Sequence, residues 1–76
     1  MIVIDARGWE PPRPFEAVME ALCRLPPGER VRLILEREPF PLYRVLEHNG
    51  YAYYATACDD GRYEIDICER ERPAAE

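Results

Sequence analysis

The thiols are the residues of this 76-residue chain best suited to chemistry, and their spacing argues against it. Cys23, Cys58 and Cys68 are odd in number, widely separated and without a C-x-x-C pair, so they outline neither a metal knuckle nor a disulfide framework and read as reduced thiols. His48, the sole histidine, lacks the paired cysteines that would complete a zinc ligand set; near the end of a helix its imidazole suits the negative end of the dipole. All ten cationic side chains are Arg and Ser is absent, which removes Ser nucleophiles, Lys Schiff bases and any P-loop. Acid–base catalysis needs carboxylates in a desolvated cleft, and the pattern buries neither Glu10 nor Glu38. Glu16, Glu20 and Arg24, at i, i+4 spacing, make a solvated helix face. No catalytic group, metal or cofactor is expected.

The elements that must position these residues fit one small domain. A chain of this length buries only about 60% of its unfolded surface, close to the lower limit for a self-sufficient core. With 47% hydrophobic residues and a mean hydropathy of −0.44, the composition is that of a globular protein. The formal charge of −5, with no basic stripe to offset it, repels phosphate backbones, so nucleic acid is not an expected partner. The longest apolar runs, such as Leu33-Ile34-Leu35, are far too short for a membrane span. Met1 leads directly into Ile2-Val3-Ile4 without a basic leader, and a cytoplasmic location is expected.

Proline and glycine divide the chain into six elements. Met1 to Asp5 and Arg30 to Glu36 are β-rich, the second alternating so that Val31, Leu33 and Leu35 share a face. Phe15, Val18, Met19 and Leu22 follow helical spacing, with Pro14 tolerated in the first turn and Cys23 semi-buried beside the stripe. Leu42, Val45 and Leu46 give a second helix that closes at Asn49-Gly50. Tyr51 to Cys58 and Tyr63 to Glu69 read as strands joined by the three-residue loop Asp59-Asp60-Gly61, with Gly61 at positive φ. In that register Cys68 faces Ala52, roughly 20 Å from Cys58, so no bridge forms. Trp9 is expected to pack its loop onto the core, and the tyrosines of the third strand to pack across strands, with Tyr54 the exception.

The order βαβαββ predicts an α/β fold of the two-layer α+β sandwich type: a four-stranded mixed sheet with two helices on one face. Residues 1–70 form the domain and 71–76 a disordered tail. The uncovered face, with Ile34 and Tyr54 among charges, is either solvated or a contact surface.

Asp5-Ala6-Arg7-Gly8-Trp9-Glu10-Pro11-Pro12-Arg13-Pro14 resembles the signature Asp-x-Arg-Gly-hydrophobic-x-Cys-Pro-x-Pro that opens the first helix of TusA/SirA-like sulfur carriers. Pro27-Gly28-Glu29, Arg37 to Leu42 and Gly50-Tyr51 extend the resemblance over about residues 3 to 70, toward a cysteine-less, uncharacterised bacterial branch. The resemblance implies a TusA-like fold and docking to a partner through the signature face. It also implies a persulfide-carrying cysteine at the helix N-terminus, where the dipole stabilises a thiolate. Pro11 stands at that position with neither a thiol nor an amide hydrogen.

Two functions from different classes follow. The first is a non-catalytic binding or protein-interaction module in bacterial sulfur or redox metabolism. The second is sulfur transfer through a relocated thiol, Cys23, Cys58 or Cys68, which would have to be exposed. Loops after parallel strands leave the same sheet edge, so Arg7, Trp9, Glu10, Arg13, Arg37 and Glu38 are the candidate binding residues, and the partner a protein or a small anion. Arg13 and Arg37 stand where helix dipoles disfavour cations, and pairing with Glu10, Glu16 and Glu38 is the expected offset.

Overall fold

Alternation in two strands decides which side of the sheet the helices cover. The computed structural model describes residues 1–70 and orders β1 (Ile2–Asp5), α1 (Arg13–Arg24), β2 (Val31–Leu35), α2 (Phe40–His48), β3 (Tyr51–Ala57) and β4 (Tyr63–Glu69). Val31, Leu33, Ile65 and Ile67 are wholly buried, while Arg32, Ile34, Glu64 and Asp66 between them are not. This period of two marks strands buried on one side only. Val18, Ala21 and Leu22 of α1 and Leu42, Tyr43 and Leu46 of α2 belong to the same core cluster, so both helices lie on that face, as the βαβαββ order predicts.

The sheet runs β1-β2-β4-β3, with β1 and β2 parallel and the other pairs antiparallel. The last strand therefore lies inside the sheet and β3 at its edge. The hairpin closes as expected: the Cys58 amide donates to the Arg62 carbonyl at 2.9 Å, the Gly61 amide to the Cys58 carbonyl at 3.0 Å, and Gly61 takes φ 89°. Ala52 pairs with Cys68. Residues then line up across all four strands. Ile4, Leu33, Ile65 and Ala55 form one row on the helix side, and Val3, Arg32, Asp66 and Tyr54 form one on the open side.

Two expectations about α1 change. Ala21 joins Val18 and Leu22 as the buried stripe, Met19 is half-buried, and Phe15 in the first turn stays 37% exposed. Cys23, two residues and so about 200° round the helix from Ala21, is exposed and not semi-buried. The expected tail at 71–76 lies outside the described residues. Among the described residues no helix is long and apolar enough to cross a membrane.

On the open face the Arg32 fork holds Asp66 through Nε–Oδ1 at 2.8 Å and Nη2–Oδ2 at 3.0 Å. The guanidinium keeps the Asp66 carboxyl below the usual carboxylate range. A depressed value means that this stabilisation is present above the unfolded carboxyl's pKa of about 3.9 and is lost as the pH falls through the folded value. Urea titration is expected to show Asp66→Asn less stable than wild type at neutral pH, with the two converging below about pH 4. In the same assay Leu33→Ala, which empties a wholly buried site, is expected to cost about 2–5 kcal/mol.

Candidate functional site

The loop from β1 to α1 is held by three local devices. The Ala6 amide continues the sheet ladder to the Ile34 carbonyl at 2.9 Å, and Ala6 is buried. The Trp9 amide then returns to the Ala6 carbonyl at 3.1 Å across a turn whose third residue, Gly8, takes φ 81°, a conformation that favours glycine. Finally Arg7 grips Asp5 through both carboxylate oxygens, at 2.9 and 2.7 Å, and holds that carboxyl below its ordinary range. Asp5, Arg7, Gly8 and Glu36 line a shallow hollow between the two loops, so these loops are neighbours. Arg7 is outnumbered there by carboxylates.

Trp9 and Arg13 form a second group. The Arg13 amide donates to the Glu10 carbonyl at 3.0 Å, and this turn brings the Arg13 guanidinium to 4.1 Å from the centre of the Trp9 ring. Trp9 in turn packs against the core. Among the described residues the expected pairing of Arg13 and Arg37 with Glu10, Glu16 and Glu38 does not form. The face of the indole receives the Arg13 charge instead.

Glu38 belongs to a third group, which the sequence reading missed. Its carboxylate accepts the Tyr43 hydroxyl at 3.0 Å. Tyr43, buried at 8% exposure, stacks on Tyr53 with ring centres 4.2 Å apart and meets the edge of Phe40. The Tyr53 hydroxyl reaches Glu47 at 2.9 Å. Glu38 is thus a tie between α2 and its own loop. The readable signal was the adjacency of Tyr43 to Leu42, which widens the apolar stripe of α2 by one position.

The helix N-termini offer little to an anion. In α1, Pro14 has no amide hydrogen and the Arg13 amide is taken by Glu10, leaving that of Phe15. In α2, Pro41 has none, the Phe40 amide bonds to Glu38 and the Leu42 amide to Pro39. The same first turns expose large side chains. Phe40 is 64% exposed and Phe15 37%, and Arg13, two residues before Phe15, and Arg37, three before Phe40, are exposed as well. Cys58 and Cys68 are half-buried and unbridged. Among the described residues no group of three or more His, Cys, Asp or Glu side chains could hold a metal ion.

A family model described as an uncharacterized conserved protein (DUF2249) matches residues 3–69. The chain belongs to this family. Its fold is also that of a SirA-like protein from Desulfitobacterium hafniense, whose crystal structure is 30% identical, covers 93% of this chain and all of its own, and superposes with a TM-score of 0.83. This places the chain among the TusA/SirA-like proteins. A search of curated proteins finds no match. Within the SirA-like fold, Pro11 lies immediately before Pro12, the N-cap of α1, and is exposed.

Burial and the bond to Glu38 push the Tyr43 phenol well above its ordinary value, and the bond to Glu47 raises Tyr53. For a raised value the stabilisation is complete below the unfolded phenol's pKa of about 10 and is lost as the pH rises beyond it. Wild type is therefore expected to lose stability to urea between about pH 10 and pH 12. Tyr43→Phe should be less stable at neutral pH and lose less on this alkaline arm.

Proposed function

We propose that this chain is a non-catalytic interaction module of bacterial sulfur or redox metabolism, working in the cytoplasm and docking a protein partner through the edge where the β1–α1 and β2–α2 loops meet. One observation carries the reading. The first turns of both helices use or lack nearly all their amide donors, yet expose Phe15 and Phe40, two and three residues after Arg13 and Arg37. Aromatic and Arg side chains are the residues enriched at the energetic centres of protein interfaces. A small anion would need the donors that are missing, so the protein partner is favoured over it. Arg7 and Glu38 support the edge from beneath through Asp5 and Tyr43, and Trp9 fixes Arg13. Glu10, exposed on the same loop, joins the rim.

A second reading, sulfur transfer through a relocated thiol, draws on the exposure of Cys23. Helix α1 places this thiol one residue before its C-terminal Arg24, at the opposite end of the helix from the position where the resemblance puts the persulfide-carrying cysteine. That position counts against it.

The readings separate in two experiments. Arg37→Glu with Phe40→Asp changes exposed side chains, so the fold, followed by circular dichroism, is expected to persist, at a cost of about 0.5–1.5 kcal/mol for the lost edge contact of Phe40 with Tyr43. Quantitative capture from lysate of the source organism should lose its specific partners at the same time; unchanged capture by a folded double variant sinks the docking edge. Incubation with a cysteine desulfurase and a sulfur donor should leave the mass unaltered. A gain of about 32 Da, abolished by Cys23→Ala, would instead establish the carrier.

A further inference from the structure

The outer edge of β3 is an open row of backbone donors and acceptors. The Arg70 amide donates to the Gly50 carbonyl and the Cys58 amide to the Arg62 carbonyl, both at 2.9 Å, so even-numbered residues of this strand bond to β4. The amides and carbonyls of Tyr51, Tyr53, Ala55 and Ala57 consequently turn toward the free edge. Among the described residues none of them is taken by another loop or cap.

Edge strands are normally guarded by charge, proline, a bulge or shortness. The strand Tyr51–Ala57, YAYYATA, is seven residues long and has no charged residue, proline or glycine. The opposite edge, β1, is guarded: it is only four residues long and ends on Asp5, held by Arg7.

The β3 sequence also complements itself when reversed. Centring an antiparallel pair on Tyr54 sets Tyr53 against Ala55 and Tyr51 against Ala57, in both directions, with Ala52 against Thr56. Each large ring on the helix side then meets a methyl group. That space is open, because Ala55 and Ala57 are exposed whereas Tyr51 and Tyr53 are half-buried under α2. The backbone agrees with this register. All four pairs formed by the outward-facing residues are of the hydrogen-bonded type, each exchanging two bonds, and Tyr54, 60% exposed, meets its own copy in the non-bonded position at the two-fold axis. The total of about eight bonds compares with about ten in a standard protein interface. Charge is compatible as well: each copy carries −5, but an isologous contact sets β3 against β3, and no like charges oppose each other along it.

We propose that β3 pairs antiparallel with β3 of a second copy of this chain, about a two-fold axis at Tyr54, joining two four-stranded sheets into one of eight strands. The guarded β1 edges close the assembly at a dimer.

Sedimentation velocity on the whole chain, over a series from about 1 μM to about 1 mM, is expected to show a reversible monomer–dimer equilibrium. Ala55→Pro removes an amide hydrogen that faces the free edge and no ladder bond within the chain, so the monomer should keep its circular dichroism while dimerisation weakens roughly tenfold or more. Tyr54→Glu sets like charges opposite each other across the axis on an exposed face and should act in the same direction. The register has its own readout. Tyr54→Cys places two thiols about 4.5 Å apart by Cα, within the range of a disulfide, and mild oxidation should yield a 54–54 link by peptide mapping, whereas Ala57→Cys should give no 57–57 link. A protein that stays monomeric throughout, leaving the edge to a strand of some other protein, overturns the proposal. So does a dimer unaffected by both Ala55→Pro and Tyr54→Glu, or growth beyond the dimer.

Discussion

The antiparallel contact between β2 and β4 is the constraint on which the remaining structure depends. Val31 and Leu33 face Ile67 and Ile65, all four wholly buried, and this square is the floor on which both helices pack. A slip of one residue would send Ile65 and Ile67 to solvent and carry Glu64 and Asp66 beneath the helices, where carboxylates would be desolvated without partners. The open face reinforces the same register, because Arg32 can close its two bonds only when Asp66 stands opposite it. Apolar burial on one side and a charged fork on the other therefore select a single alignment.

That alignment determines what lies at the edges. With β4 held against β2, the short hairpin has no choice but to place β3 on the far side of β4, and α2, leading directly into β3 through Asn49 and Gly50, must cover it. The Tyr43–Tyr53 stack is the consequence of that covering, and Glu38 and Glu47 tie the two phenols at either end. Helix α2 is only nine residues long, too short to cover seven strand residues while also descending from β2. Ala55, Thr56 and Ala57 are left exposed. The bare end of β3 is thus the result of a short helix on a long strand.

Much of this architecture was legible in the chain itself, and the parts that were not share a cause. Alternation at Val31, Leu33 and Leu35, the proline-bounded helices and the Asp59-Asp60-Gly61 loop are local signals, and each appears where those signals put it. The position of β4 inside the sheet is not local, since a hairpin can add to β2 through either of its strands. Rotation of a helix about its own axis is equally hidden: Phe15 and Ala21 differ in how they meet the sheet by an amount that three or four apolar residues do not specify. At the candidate edge the sequence indicated that the two loops would be neighbours, but not how their side chains would divide among Asp5, Trp9 and Tyr43. It suggested that carboxylates would offset Arg13, whereas the turn from Glu10 to Arg13 sets the guanidinium over the indole of Trp9 and, among the described residues, no carboxylate pairs with it. Glu38 likewise found a phenol from the next turn, a contact that requires knowing that Tyr43 is buried.

The two surfaces constrain each other through strand direction. Strand β3 runs parallel to β1 and β2, since it is antiparallel to β4 and β4 to β2. Pairing β3 with its own copy therefore turns the two loop edges toward opposite ends of the joined sheet, while the two-fold axis, normal to the sheet, keeps all four helices on one side. A single compact partner could not grip both edges at once, so pairing brings no avidity toward such a partner. It brings two independent docking edges and a continuous open face, with Arg32–Asp66 pairs flanking a central pair of tyrosines. Docking and pairing use different backbone: the first relies on the loops that close α1 and α2, the second on the far edge of β3. Ala55→Pro at the free edge should leave the docking loops intact, whereas Phe40→Asp also removes an edge contact on Tyr43, the ring stacked on Tyr53 of β3, so of the two it is the pairing variant that judges its surface alone.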